Sequence, residues 1–229
     1  MNAVKKNLPI LLLLLITLNM SGQTKKTIIN KSKTFRSEAV ADGYITSAKN
    51  NIVSDYFGGS QGKEILIGWN STGQTMRGFV SFDVSGILPV EGEQLVIDNA
   101  VLSIYQANWN KSPFNRSGER AVECYLMEYD ALDGADFDGR TIANCGVITA
   151  NYGDVLNEFP LNVTTSLNKN LSSMSMPGKF QFRLQFTSDD KSGELAGADW
   201  DIFSGDQELM AGNDFRPKLT VKYHYQKKE

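Results

Sequence analysis

Three tryptophans in polar surroundings are the side chains best suited to binding a ligand. Trp69 is followed by an asparagine, Trp109 lies between two asparagines, and Trp200 lies between two aspartates. An indole ring can stack on a sugar ring while amides and carboxylates hydrogen-bond its hydroxyls. Tryptophans can equally fill the end of a folded domain. The pattern favours a carbohydrate site at these three positions and leaves a structural role open for each.

Groups that could catalyse a reaction are few. His224 is the only histidine, and alternation places it on the outward face of the last strand, where histidines are usually solvated. The sequence has no Gly-x-Ser-x-Gly in a strand–turn–helix setting and no glycine-rich phosphate loop. Glycosidases need two facing carboxyl groups, and the candidate acids here fall in predicted loops. A polysaccharide lyase or glycosidase is therefore the least favoured interpretation.

The first 22 residues have the order of a secretory signal peptide. Two lysines precede an apolar run over residues 8–18, and small residues follow it. The run is short for a membrane helix, although an uncleaved anchor stays open. Removing residues 1–22 changes the net charge from −3 to −5 and leaves 207 residues, enough for one well-buried domain. A net-negative chain without a basic cluster is a poor nucleic-acid binder.

Cys124 and Cys145 are the two cysteines of the chain. Export would deliver them into an oxidising compartment, where a disulfide is permitted. A bridge would close a loop of about 20 residues and contribute ~3 kcal/mol in the chain-entropy model. The sequence does not show whether their Cα atoms approach closely enough, so bridged and free forms both stay open.

Alternation of apolar and polar residues dominates the rest of the chain. Residues 180–187 and 219–226 show it best, which is typical of strands with one face in a core. A short helix is predicted after Thr164 or Thr165, with Leu167 and Leu171 on one face. The other predicted strands are 39–47, 64–68, 77–84, 99–106, 122–129, 159–163 and 200–203. The predicted core contains Phe82, Leu102, Leu126, Phe182, Leu184, Leu219 and Val221.

Nine or so short strands, many turns and one short helix predict an all-β protein. The arrangement expected is an antiparallel β-sandwich of the jelly-roll type. The sequence predicts a signal peptide over residues 1–22, a polar leader over 23–37, and one sandwich domain over 38–226.

Several segments, in order, resemble the DNRLRE domain, a family that overlaps carbohydrate-binding module family 96. Residues 77–85 (Arg-Gly-Phe-Val-Ser-Phe-Asp-Val-Ser) are similar to its Arg-x-Leu-Leu-x-Phe-Asp-Leu-Ser strand, and residues 216–223 to its Arg-Pro-x-Leu-x-Val-x-Tyr strand. Residues 41–45 and 97–105 resemble two further strands, whereas the Asp-rich residues 130–139 replace a Trp-rich stretch of the family. The resemblance implies a secreted jelly-roll module that accompanies polysaccharide-degrading enzymes or surface proteins.

The matched motifs supply further candidate site residues. Arg77 could grip a sugar carboxylate with two hydrogen bonds, or form a structural ion pair with Asp83 on the same strand face. The resemblance also implies a structural calcium ion held by Asp42, Asp55 and Asp83, because loop carboxylates suit calcium. The same aspartates could simply cap turns.

Taken together, these features favour a non-catalytic carbohydrate-binding protein, located in the periplasm, outside the cell or on its surface. An acidic polysaccharide is the expected ligand. The alternative is a structural or adhesive cell-surface protein whose loops contact protein partners. Aromatic rings on a concave face would favour the first interpretation, flat polar faces the second, and two carboxyl groups across a cleft an enzyme.

Overall fold

The structure is a computed structural model, and strands make up most of it. It describes residues 29–38, 41–48, 52–53, 65–69, 72–109, 119–151, 158–176, 178–187, 199–203 and 215–227. Within these residues the strands are β1 (Lys31–Arg36), β2 (Gly43–Thr46), β3 (Ile52–Val53), β4 (Ile65–Trp69), β5 (Thr75–Asp83), β6 (Glu93–Trp109), β7 (Glu119–Met127), β8 (Thr141–Asn151), β9 (Glu158–Asn162), β10 (Lys179–Phe186), β11 (Asp199–Phe203) and β12 (Lys218–Lys227). One α-helix, α1 (Thr164–Asn170), and two 3₁₀ turns, Ser85–Ile87 and Gly134–Asp138, complete the described elements.

The strands form two layers of an antiparallel β-sandwich, which confirms the predicted fold class. One layer has the order β9-β6-β12-β1, and the other has the order β11-β4-β5-β10-β7-β8, with β2 beside β5 and β3 beside β2. The long strand β6 joins the layers. Its first part pairs with β12 and β9, and its last residues pair with β11 of the second layer.

The main core lies between the layers and follows from strand alternation. Phe82 and Phe182 meet edge-on there, with ring centroids 6.2 Å apart. Alternate residues of each strand point the same way, so a strand with apolar residues at every second position closes one side of this core. Every predicted core residue is fully buried in it, namely Phe82, Leu102, Leu126, Phe182, Leu184, Leu219 and Val221.

A second, smaller cluster covers the other face of the second layer. Residues 128–140, here named the covering segment, cross that face and place Tyr129, Leu132 and Phe137 against Phe79 of β5. The Phe79 and Tyr129 rings meet edge-on at 5.8 Å. We call this group the outer cluster. Its members are Ala41, Ile45, Phe79, Met127, Tyr129, Leu132 and Phe137.

Three strands lie where no strand was predicted, namely β1, the two-residue β3 and β8. β1 falls inside the stretch predicted to be a polar leader, and it pairs along β12 with Phe35 buried in the main core. β8 pairs with β7, and its residues show little alternation in burial. The predicted signal peptide lies outside the described residues.

The predicted short helix is present as α1, but it begins at Thr164 itself, so Thr164 and Thr165 lie inside the helix and the predicted capping is wrong. The residue before the helix makes no side-chain cap bond, and Thr165 is not the cap. The Thr164 hydroxyl instead accepts a hydrogen bond from the backbone N–H of Ala100 at 2.8 Å, which ties the helix to β6. Leu167 is buried in the main core, and Leu171 packs against it, as their spacing predicted.

Candidate functional site

The three tryptophan positions lie on neighbouring strands. In the strand pairing, Trp69 of β4 is opposite Asp199 of β11, and Trp109 of β6 is opposite Asp201. Trp200 lies between these two aspartates and is paired with Gly68. Because neighbouring strands are ~4.8 Å apart, the three positions span only about two strand spacings. The fold therefore brings together three tryptophans and two aspartates that are up to 132 residues apart in the chain.

Trp69 faces the main core. It is 6% exposed, and its ring lies 5.4 Å from that of Phe186 at a tilt of 48°. In this conformation its indole supports the layer from inside and does not present a flat face to solvent. The structure describes the backbone of Trp109 and Trp200 but not their side chains, so their role as sugar platforms stays a prediction.

A second aromatic group lies further along β6 and was missed in the sequence. Tyr105 donates a hydrogen bond to Glu158 Oε2 at 3.0 Å and receives one from Lys218 Nζ at 3.2 Å. The Lys218 ammonium lies 5.1 Å from the centre of the Tyr105 ring, and Phe215 meets that ring edge-on at 5.5 Å. Burial raises the pKa of Tyr105, so the phenol stays protonated. The group combines aromatic surface, a cation and an acid, the types of side chain that recognise sugars.

Arg77 is engaged with the covering segment. Its Nη1 donates to the carbonyl of Phe137 at 2.5 Å and to Asp138 Oδ1 at 3.2 Å, and its guanidinium lies 4.3 Å from the Phe137 ring centre. The side chain is 15% exposed. Through these contacts Arg77 holds residues 137–138 in place in this structure. The carboxylate it contacts is Asp138, so the predicted pairing with Asp83 is not the one observed.

A second arginine converges on the same carbonyl. Arg183 of β10, 8% exposed, donates to the carbonyls of Phe137 and Gly139, each at 3.2 Å, and lies over the Tyr125 ring at 5.4 Å. Sequence reasoning placed Arg183 on the polar, solvent-facing side of its strand. That assignment is wrong, because the covering segment buries this side.

Polar groups also hold the beginning of the covering segment. The buried amide of Gln181 accepts from the N–H of Tyr129 at 2.9 Å and donates to its carbonyl at 2.8 Å. Tyr129 in turn donates its phenol hydrogen to the carbonyl of Ala41 at 3.0 Å. Asp133 and Asp136 cap the 3₁₀ turn reciprocally, since each carboxylate accepts a backbone N–H of the turn. Burial raises the pKa of Tyr129 well above its ordinary value.

The predicted calcium ligands occupy different surroundings. Asp42 is fully buried, and its Oδ1 accepts the backbone N–H of Ser81 at 2.9 Å. Asp83 is exposed, and hydrogen bonds from Ser85 lower its pKa. Asp55 lies outside the described residues. Among the residues that the structure describes, no three His, Cys, Asp or Glu side chains gather as a metal site. The calcium site, which includes Asp55, therefore stays a prediction.

Cys124 and Cys145 are brought together as free thiols. β7 and β8 are adjacent, and Cys124 is paired with Gly146, the residue after Cys145. The two thiols influence each other's ionisation across this strand pair. The interaction with the Cys124 side chain is the main reason that the pKa of Cys145 is lowered, whereas burial is the main reason that the pKa of Cys124 is raised.

His224 is not solvated, contrary to its predicted place on an open face. It is 7% exposed, and its Nδ1 lies 2.9 and 3.0 Å from the two carboxylate oxygens of Asp98. Its Nε2 lies 2.9 Å from the amide nitrogen of Gln226. Asp98 lies in β6 where the pairing with β12 shifts register, so the histidine and aspartate pair across a bulge.

A groove of about 470 Å³ lies beside the first residues of β6. Apolar side chains such as Leu88, Leu95 and Leu171 line it, together with Glu93 and Asn168. The described residues of its lining include no aromatic ring, so this part of the groove offers no stacking surface for a sugar.

Searches for related proteins and for membrane-spanning elements gave no match. Neither the scan against protein-family models nor the search of curated proteins finds a protein that matches this chain. In the described ranges, no helix has both the length and the apolar character to cross a membrane. The likeness to the DNRLRE domain therefore rests on the sequence motifs quoted above.

Proposed function

We propose that this protein is a secreted, non-catalytic carbohydrate-binding protein that recognises a polysaccharide. The observation that carries the proposal is the pairing of β4, β11 and β6, which brings the backbone positions of Trp69, Trp109 and Trp200 onto three adjacent strands. Indole rings can stack on sugar rings, and neighbouring polar groups can bind the sugar hydroxyls.

The burial of Trp69 distinguishes its role from those of the other two tryptophans. Trp69 packs in the main core and supports the site from within. Trp109 and Trp200 are therefore the proposed contact residues. This assignment separates one structural tryptophan from two binding tryptophans.

The preference for an acidic polysaccharide is also a proposal. Arg77 is held by Phe137 and Asp138, so its contacts favour the structural role over a grip on a sugar carboxylate. Lys218, beside the Tyr105 ring, is the better candidate cation because it lies on the neighbouring strand to β6. A carboxylated sugar bound near Tyr105 would meet this ammonium.

A panel of neutral and acidic polysaccharides tests the proposal. We expect the purified protein to bind at least one of them, and Trp109→Ala and Trp200→Ala each to weaken that binding about tenfold, which corresponds to ~1.4 kcal/mol. Val147→Ala is the matched control, since Val147 is an exposed apolar residue of β8 and lies in the other half of the second layer. Absence of binding to every polysaccharide would refute the function. Binding that both tryptophan variants retain would refute the site.

The calcium hypothesis is tested in the same preparation. If Asp42, Asp55 and Asp83 hold an ion, calcium at 100 times its dissociation constant adds ~2.7 kcal/mol to the free energy of unfolding, and a chelator removes it. Identical melting curves with calcium and with chelator would leave Asp42 and Asp83 as the turn residues that their hydrogen bonds describe.

The alternative proposal is a surface protein that binds protein partners, and the groove beside β6 favours it. The side-chain amide of Asn168 bonds both the N–H and the C=O of Ile97, as a neighbouring strand would. Leu95 lies two residues back, so its backbone groups point to the same side, toward the groove. An extended peptide with one apolar side chain would fit there. Val90→Asp, at a residue 69% exposed beside the groove, would weaken such a partner and spare polysaccharide binding.

A further inference from the structure

We propose that Cys124 and Cys145 form an intramolecular disulfide bond that joins the edge strand β8 to β7. The proposal is independent of carbohydrate binding. It rests on strand register, on the direction of the two side chains, and on the proximity of the two thiols.

Register places the two residues on adjacent strands at the same bulge. Cys124 is paired with Gly146, and the next residue, Tyr125, is paired with Asn144. Cys145 is thus the extra residue of a β-bulge, in which two residues of one strand face one residue of the other. Opposed residues of antiparallel strands have Cα atoms about 4.5–5.5 Å apart, so Cys145, the residue next to Gly146, also lies near Cys124. Gly146 has a positive φ of 121°, which glycine adopts readily.

Both side chains point to the same side of the layer. Cys124 is fully buried in the main core, and Cys145 packs against that core. In a regular strand pair, the residue diagonal to Cys124 would point away from it. The bulge turns Cys145 inward, so that both side chains pack on the same side of the layer in the main core. The register shift therefore brings the two side chains to the same side, as the bond requires.

The two thiols differ in a way that suits stepwise exchange. Cys145 is only partly buried, and interactions of its sulfur, first with the Cys124 side chain and also with Ser166, lower its pKa. Its thiolate would attack an external disulfide, such as oxidised glutathione, to give a mixed disulfide and one released thiol. The Cys124 thiol would then lose its proton and attack Cys145 Sγ, and the second thiol would leave with that proton. The protein is oxidised by two electrons, and the external disulfide is reduced.

The bond would close the chain around the covering segment. Residues 125–144 would become the loop, and they include the 3₁₀ turn that contacts Arg77 and Arg183. The edge strand β8 would also be fastened to its only described neighbour in the sheet path. Oxidation would thus stabilise the outer face of the second layer and the sheet edge together.

Intact-mass measurement after equilibration with oxidised and reduced glutathione tests the bond. The denatured, oxidised protein should resist thiol alkylation, run as a monomer, and weigh about 2 Da less than the reduced form. It should also melt roughly 6–12 °C higher, the shift expected for a loop of about 20 residues in a chain of this size.

Two single variants complete the test. Cys145→Ser changes the partly buried residue and Cys124→Ala the buried one. In each, the difference in melting temperature between oxidising and reducing conditions should vanish. Two alkylatable thiols in the wild-type chain after equilibration would overturn the proposal. So would a stable glutathione adduct that never closes to the intramolecular bond, or a cross-linked dimer.

Discussion

The main core and the outer cluster are held by different means. Between the layers, apolar side chains pack with little polar contact, as the edge-on Phe82 and Phe182 rings illustrate. On the outer face, the covering segment is fastened by buried hydrogen bonds from Gln181, Arg183 and Tyr129 as well as by apolar contact. Strand alternation builds the first region, whereas an irregular segment needs side-chain partners for its backbone.

The difference shows that a strand face made of polar residues is not necessarily exposed to solvent. Gln181 and Arg183 alternate with core phenylalanines, a pattern that ordinarily places them in solvent. Here they bond the backbone of a segment laid across the sheet. A buried polar group without a partner is costly, so these residues fix both the place and the register of the covering segment.

Removal of a main-core side chain should have the largest effect. Leu184→Ala should lower the free energy of unfolding by ~2–5 kcal/mol, since Leu184 is fully buried between the layers. Leu132→Ala, in the outer cluster, should cost less, because the covering segment can relax into the space. Denaturant midpoints with unchanged m-values measure both. A loss under ~0.5 kcal/mol for Leu184, or equal losses, would contradict the distinction.

Removal of the central amide of the outer face should come next. Gln181→Ala deprives the N–H and C=O of Tyr129 of their partners and should cost about 2–3 kcal/mol, since each buried unsatisfied group costs ~1–3 kcal/mol. Gln185→Ala, on the same strand and less buried, is the control and should cost less than half as much. Chemical denaturation of both variants decides the matter, and equal effects would show that the amide is not the fastener.

A smaller effect with a distinctive pH dependence is expected for Tyr129→Phe. Loss of the hydrogen bond to Ala41 should cost ~1 kcal/mol at neutral pH. The folded pKa of Tyr129 is raised, so the unfolded chain ionises first, and stability falls as the pH rises from about 10 toward the folded pKa. The variant lacks this component, so wild type and variant should converge at alkaline pH. Parallel stability curves from pH 7 to 11 would contradict the assignment.

The smallest effects should come from the more exposed contacts between Arg77 and the covering segment. Asp138 is 57% exposed, so Asp138→Asn should change stability by under ~0.5 kcal/mol. Arg77→Lys should cost ~1 kcal/mol, because an ammonium cannot reproduce both the carbonyl bond and the stacking on Phe137. Melting temperatures of the two variants give the order. If Asp138→Asn lost more stability than Arg77→Lys, the ion pair between Arg77 and Asp138 would be the main contribution.

Period-two alternation predicted much of this fold. It located strands such as β10 and β12 and the whole predicted core, because a strand with one buried face has apolar residues at every second position. β1 was missed because only Phe35 among its residues is buried, and β8 because its side chains are mostly half-buried. The covering segment could not be foreseen, since its partners lie on distant strands.

The candidate site was predictable in its residue types but not in its assembly. Trp69, Trp109 and Trp200 were singled out by their polar neighbours, yet only strand order shows that they adjoin. The burial of Trp69 depends on the packing of Phe186, which no local pattern reveals. Tyr105 and Lys218 are 113 residues apart, so their pairing likewise required the fold.

Pairing of β1 with β12 has a consequence for the timing of folding. Thr34 and Thr220 share a hydrogen bond across 186 residues, and Phe35 is opposite Leu219. The first layer therefore cannot be completed until the chain has been synthesised past residue 220. Sheets with such distant contacts fold in milliseconds to seconds, more slowly than domains with mostly local contacts. If the protein is exported as proposed, this delay would keep the chain extended long enough to pass through a membrane channel before its layers close.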